Sequence, residues 1–381
     1  MRFLIILFTS CLLSETISAE PTEKGWLPSQ DESYRLNFHQ AFGEPSTRFS
    51  SLQEYLDYFD YDRYLGSTLS TAIASMQLGS RPVMWSMDYW MISMNEAYHA
   101  TGDPYYLREN LRCIRAVLDY RDDQRGATLY NGAIAPVWGT DIYSGGTGRR
   151  YYSGHSGMVT FPMLEFLLLV QNETDLLADL GEEYDEILNL VHETLDYHSR
   201  DWNEGPEPDE GHFFNHPDSE YRSQYQNQPQ PANLQCAMGR ALWMSWKVSG
   251  DTTHRDRALK LARYIKNRLT LATDGAYYWE YQLPNNPVTQ IRDKESIISE
   301  DVGHAFLTIA FPILMAHDSA VFNDEDMMRF AKTIKQGFGR FNDGVLFGEV
   351  NGSPLRFDTV NEIKGSVNSI FGWARLIPWD P

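Results

Sequence analysis

Four times along this chain, a short run mixing acids, histidine, amides and aromatics opens an apolar helical stretch. The runs are Trp85-Ser86-Met87-Asp88-Tyr89-Trp90, Tyr152-Ser153-Gly154-His155-Ser156-Gly157, Pro231-Ala232-Asn233-Leu234-Gln235 and Ser299-Glu300-Asp301-Val302-Gly303-His304. Each follows the last by roughly 65 to 80 residues, a period that marks a repeat architecture, and a weaker fifth, Gly365-Ser366-Val367-Asn368, keeps the step. Imidazole and carboxyl side chains are the usual donors and acceptors in proton transfer, so Asp88, His155, Glu300, Asp301 and His304 are the first candidates for chemistry.

Each candidate also has a plainer explanation. Asp88, Glu300 and Asp301 are first-turn acids that answer a helix dipole, and Asn233 is a possible cap. Ser299 is followed three positions later by Val302, so a capping box does not account for the two acids. His155 sits between glycines that let backbone approach a ligand closely. His304 lies one turn beyond Glu300 on the same helix face. In Tyr277-Tyr278-Trp279-Glu280-Tyr281, strand alternation puts Tyr278 and Glu280 opposite Tyr277, Trp279 and Tyr281, so one set packs and the other meets a ligand. Arg222, Arg240 and Arg292 are candidates for holding carboxylates in bidentate fashion, against the alternative of ordinary ion pairs.

Helical hairpins must position these groups. Apolar stretches at Trp85–Ala100, Gly157–Val170, Asn233–Val248 and Asp301–Ala316 alternate with return helices at Tyr105–Tyr120, Asp175–His198, His254–Leu269 and Glu325–Phe338, and Ser366–Leu376 is a last single helix. The first member of each pair is apolar nearly all round and the second is one-sided, which places the first inside and the second outside. Thr101-Gly102-Asp103 and Ser249-Gly250-Asp251 are near-copies at hairpin turns. The pattern predicts an all-α (α/α) toroid of about five to seven hairpins. Aromatic segments before the inner helices, among them Ala135-Pro136-Val137-Trp138, read as short strands at one mouth, where Trp85, Trp138 and Trp279 are candidate platforms for sugar rings.

Met1–Ala19 has the charged start, apolar stretch and small-residue end of an export signal. Residues 20–48 read as a polar arm, and 49–381 as one toroidal domain. The reading is a secreted or periplasmic protein, with Cys11 leaving lipidation as a minor alternative. A net charge of −20 disfavours nucleic acid and anionic membranes as partners. Cys113 and Cys236 lie in helical patterns as free thiols, and neither CxxC nor HExxH spacing occurs, so neither metal nor cofactor is expected.

The His155-Ser156-Gly157-Met158 start, the Asn233 to Arg240 helix with its Ser249-Gly250-Asp251 turn, the Tyr278-Trp279-Glu280-Tyr281 strand and Glu300-Asp301 with His304 resemble the (α/α)-toroid carbohydrate-active enzymes. Among these the chain is most similar to polysaccharide lyases acting on uronic acids such as alginate or glucuronan. The resemblance covers roughly residues 80 to 376. It implies β-elimination on an anionic glycan. Asn233, Arg150 or Arg292 would neutralise the carboxylate, His155 or His304 would remove the proton, and Tyr278 or Tyr281 would protonate the leaving oxygen. Arg240, Asp88, Trp85, Trp138, Trp279, Glu300 and Asp301 would line the substrate site. The alternatives are a glycoside hydrolase drawing two carboxylates from Asp88, Glu280, Glu300 and Asp301, a uronate C5-epimerase, and a non-catalytic glycan-binding protein.

Overall fold

The computed structural model describes residues 65–79, 82–340, 345–346, 348–353 and 372–379. The leader, the arm and most of Ser366–Leu376 lie outside them. Helices α1 (Leu65–Gln77), α2 (Met87–Thr101) and α3 (Pro104–Asp119) come first, followed by α4 (Ser153–Val170), α5 (Thr174–Leu180) and α6 (Glu182–Tyr197). Then come α7 (Ala232–Ser249), α8 (Thr252–Lys266), α9 (Val302–His317) and α10 (Asp324–Lys332). Helices α2, α4, α7 and α9 pack in that order as an inner wall, with α3, α6, α8 and α10 behind them. This is the (α/α) toroid.

The two hairpin turns that repeat in sequence repeat in structure. Gly102 and Gly250 take the left-handed conformation, at φ 68° and 78°, that a side chain would resist. Asp103 then accepts from the Tyr105 amide, and Asp251 from the amides of Thr253 and His254, so each caps the outer helix. The expected single helix over Asp175–His198 is instead two, because Gly181 at φ 52° breaks it between α5 and α6. The last return helix gives way after Lys332 to a wider turn over Thr333–Phe338.

Inner helices are buried on nearly every side. Helix α4 has the length and apolarity to cross a membrane, but here it is walled in by its neighbours. Leu164, Phe166 and Leu167 are fully buried, and each such side chain contributes about 1.5–3 kcal/mol. Its glycines have a different use from the one expected. A Cβ on Gly157 would stand 2.5 Å from the Met238 Cα, and one on Gly154 would stand 2.5 Å from the Leu234 Cβ. They let α7 close onto α4, so they serve helix packing and not ligand approach.

The ring closes at its far end. Gly372 packs on Phe306 of α9, Trp373 stacks on Trp279 with centroids 6.0 Å apart, and Arg375 donates to Glu96 of α2 at 2.7 Å. Short antiparallel pairs sit in the long connections: β1 (Trp202–Glu204) with β2 (Gly211–Phe213), β3 (Thr270–Leu271) with β4 (Tyr277–Tyr278), and β5 (Gly339–Arg340) with β6 (Val345–Leu346). Ala135–Trp138 forms no strand.

Candidate active site

The starts of inner helices α4, α7 and α9 carry buried polar atoms without a hydrogen-bond partner, namely the Tyr152 hydroxyl, His155 Nδ1, Asn233 Oδ1 and Glu300 Oε1. At the start of α2 the Asp88 carboxyl meets only amides of its own turn. Most buried polar groups in a folded protein are paired, so a concentration of unpaired ones at one end of a ring marks a place prepared for a ligand. Partly exposed aromatics rim the same end. Tyr89, Tyr143 and Tyr281 are 36%, 42% and 38% exposed.

His155 is buried in an aromatic box. Trp85 and Tyr152 meet its ring edge-on at 5.7 Å and 5.1 Å, and Tyr143 lies tilted to it at 5.4 Å. Burial, with a smaller push from His198, lowers its pKa to about 3, so the imidazole is neutral. Its neighbour Ser156 turns the other way and bonds His198 Nε2 at 2.8 Å, and His198 Nδ1 pairs with Asp201 at 2.6 Å. That Ser-His-Asp chain is sealed in the wall and anchors the first turn of α4.

At the start of α9, Asp301 is the N-cap, accepting from the amides of Gly303 at 2.9 Å and His304 at 3.0 Å, and it also pairs with His304 Nδ1. Burial alone would raise its pKa, but the His304 bond and charge outweigh it and hold the carboxylate below its usual range. His304 moves the opposite way for the same reason: desolvation is overcome by Asp301, and its pKa rises. Tyr281 meets the His304 ring edge-on at 5.1 Å.

Asp88 contrasts with Asp301. It is wholly buried, with the amides of its own helical turn and the charge of Arg240 only partly offsetting desolvation, and its pKa is raised well above the carboxylate range. Asp88 is therefore a neutral acid and Asp301 an anion. Glu300 is also a neutral acid, its pKa pushed by burial to about 8, but one of its oxygens is committed. Oε2 accepts from Trp279 Nε1 at 2.6 Å and Thr308 Oγ1 at 2.7 Å.

The Glu300 environment yields a stability prediction. A carboxyl whose folded pKa is raised stabilises fully below its unfolded value of about 4.5, and loses that contribution as pH climbs through about 8. The loss is on the order of 5 kcal/mol by linkage. Glu300→Gln removes this slope, so its thermal midpoint is expected to overtake the wild type's as pH rises from 5 to 8. Parallel Tm curves for the two would contradict a neutral Glu300.

Several expected site residues lie elsewhere, for identifiable reasons. Trp138 is buried and donates to the Val117 carbonyl at 2.8 Å, so it packs against α3 and offers no platform. Trp279 is likewise buried, tied to Glu300 and Trp373. Tyr278 is buried with its hydroxyl on Asp274 at 2.9 Å, which removes it as an acid. The regular strand ends there, so burial does not follow the expected alternation, and Tyr281 is the one that reaches the mouth. Arg150 is buried, its guanidinium 3.7 Å over the Tyr130 ring and bonded to Thr147. Arg292 leans on Glu280 at 3.7 Å and the Ser296 carbonyl. Arg240, two turns inside α7, lies 4.6 Å over Phe161 at the base of the ring, its pKa lowered to about 10 by burial and by Arg375. Asn233 is buried and does not cap, since Pro231 holds that position. The reading of the sequence passed over Tyr143 and Glu220. A tyrosine inside the turn-rich run from Asp141 to Gly148 was the only hint of the first.

No family model matches the chain, and no curated protein is similar to it in sequence. Among solved structures it is similar to an α-1,6-mannanase from Salegentibacter sp. HEL1_6, at TM-score 0.49 and 14% identity over 98% of each chain. It is also similar to an unsaturated glucuronyl hydrolase specific for heparin, at TM-score 0.47 and 14% identity over 99% of this chain and 96% of that one. A D-mannose isomerase gives TM-score 0.44 at 17% identity, over 72% and 65% of the two chains. None of the three is a polysaccharide lyase.

Proposed function

We propose that the protein is a glycan-processing enzyme that hydrolyses a glycosidic bond at the mouth of the toroid. The observation that carries this reading is the opposed setting of two carboxyls at the starts of inner helices α2 and α9, Asp88 sealed from solvent and Asp301 held by His304 and two backbone amides. Divergent environments of this kind assign acid and base roles. Asp88 gives its proton to the leaving oxygen. His304, held at Nδ1 by Asp301, turns Nε2 to the attacking water and takes its proton as the new C–O bond forms. Trp85, Tyr89, Tyr143 and Tyr281 supply faces and edges for sugar rings, and the unpaired atoms of Asn233 and His155 meet hydroxyls. The leader composition supports an activity outside the cytoplasm.

Elimination is the second reading, and one observation favours it. His155 has a lowered pKa and an unpaired Nδ1, and its ring centroid lies 5.4 Å from that of Tyr143, setting a base near an acid. One assay separates the two. Purified protein is incubated with a polysaccharide panel, and reducing ends are counted alongside ultraviolet absorbance. New reducing ends without absorbance are expected. An absorbing unsaturated product would replace hydrolysis with elimination, and binding without either product would leave only a lectin-like role. The pH profile is a further check. Its acid limb is expected to follow His304 at a pH above the ordinary imidazole value, because its pKa is raised and it must be neutral to act as a base.

A further inference from the structure

The cations near the mouth decide which class of glycan can enter. Arg150 and Arg240 are buried beneath it, and Arg292 is engaged by Glu280. Among the described residues that leaves Arg222, whose side chain is 45% exposed. It lies 4.6 Å over the Tyr225 ring and 5.3 Å over Tyr221, in the connection between β2 and α7. Its charge acts on both Tyr281 and Tyr152, the tyrosines that touch His304 and His155. Arg222 therefore lies within electrostatic reach of both tyrosines.

Its charge is already answered. Nε and Nη2 donate to the two oxygens of Glu220 at 2.9 Å each, a bidentate fork, and Glu220 is buried. Glu220 also accepts from the Arg222 backbone amide at 2.9 Å, which fixes the loop around the pair. A guanidinium has five N–H donors in a rigid plane. The fork uses two, leaving the Nη1 edge and one Nη2 hydrogen directed by a clamped, electrically neutral unit. Such a group suits hydroxyl oxygens, because a sugar carboxylate would meet no net positive charge. Among the described residues the rest of the mouth adds none: Asp301 holds His304 at Nδ1, Asp88 and Glu300 are buried carboxyls, and Glu349 accepts from Ser299 at 3.1 Å. The chain as a whole carries −20, which repels polyanions.

We propose that the mouth takes an uncharged glycan, with Arg222, clamped by Glu220, reading its hydroxyls. This rests on the hydrolytic reading for its catalysis but not for its binding. The anionic substrate implied by the lyase resemblance is thereby replaced.

The test uses the full chain and two polymer sets at matched ionic strength: α-mannan, xylan and β-glucan against alginate, glucuronan and pectate. Saturable quenching of tryptophan fluorescence reads binding, and reducing ends read turnover. Binding by neutral oligosaccharides from the first set, at least tenfold tighter than by uronate oligosaccharides, is expected. Tighter binding by uronates, or none by either set, overturns the substrate class. Neutral binding without new reducing ends removes hydrolysis but keeps the class, so the two failures are distinguishable. Glu220→Gln unmasks the cation, and the uronate-to-neutral affinity ratio should rise about tenfold. Arg222→Gln removes the donors and leaves Glu220 an uncompensated anion. It should therefore weaken neutral binding about tenfold and uronate binding by more, lowering the uronate-to-neutral ratio in the opposite direction to Glu220→Gln. An unchanged ratio in both variants overturns the role given to Arg222.

Discussion

Asp88→Asn is expected to lose 10²- to 10⁴-fold in kcat, the usual range for removing a general acid, while folding at least as well as the wild type. Both halves follow from one environment. The carboxyl is fully buried and neutral, so an amide of the same shape replaces it at little cost to packing, and the desolvation burden on the ionised form disappears. The amide has no acidic proton for a leaving oxygen. Thermal midpoint and single-turnover rate, measured on one preparation, separate the effects. A variant that turns over normally would remove Asp88 from the chemistry, whereas a variant that unfolds would show its oxygens to be structural. His304→Ala is the companion change and should lose a similar factor, without the gain in stability. Substrates with activated leaving groups sharpen the comparison. They need less help from an acid, so they should rescue Asp88→Asn and leave His304→Ala impaired.

Gly157→Val is expected to abolish the fold, and Gly157→Ala to lower stability by about 1–3 kcal/mol or more through overpacking. The reason is the contact between backbones. The added carbon would meet the Met238 Cα at 2.5 Å and its amide nitrogen at 2.6 Å, and main chain cannot rotate aside as a side chain can. Relief requires α4 and α7 to separate, which loosens the most extensively packed seam of the inner wall. Calorimetry and far-ultraviolet circular dichroism of the Ala variant provide the check. A Tm within a degree of the wild type's would show that the seam yields easily.

Much of the scaffold was legible in the chain, and the reason is periodicity. Inner helices bury all faces and outer ones a single face, so hydrophobicity alone distinguished α4 from α6 and α7 from α8. The repeated Gly-Asp turns at Gly102 and Gly250 marked the hairpin tips because only glycine suits their left-handed geometry. The break at Gly181 was missed, since one glycine within an otherwise continuous amphipathic pattern weighs little against its neighbours. The site was read less completely. The helix openings draw attention to Asp88, His155, Asn233 and Asp301, which the structure sets at the starts of inner helices. What those openings could not convey was depth. Trp138, Tyr278 and Trp279 look like ligand-facing aromatics, yet their hydroxyl and indole groups satisfy interior partners at Val117, Asp274 and Glu300. Pairings between distant loops, such as Trp279 with Trp373, leave no trace in local spacing. Glu220 and Arg222 are two residues apart, but only the folded loop turns them into a single neutral unit.

The bond from Arg375 to Glu96 joins groups 279 positions apart in the chain. Contacts so remote in sequence close late, because the intervening chain must first be gathered. During synthesis the three inner helices α4, α7 and α9 can assemble while the residues that seal the circle are still inside the ribosome. The mouth of the ring thus lacks a side until translation has passed Arg375, however well the earlier hairpins of a nascent chain have formed.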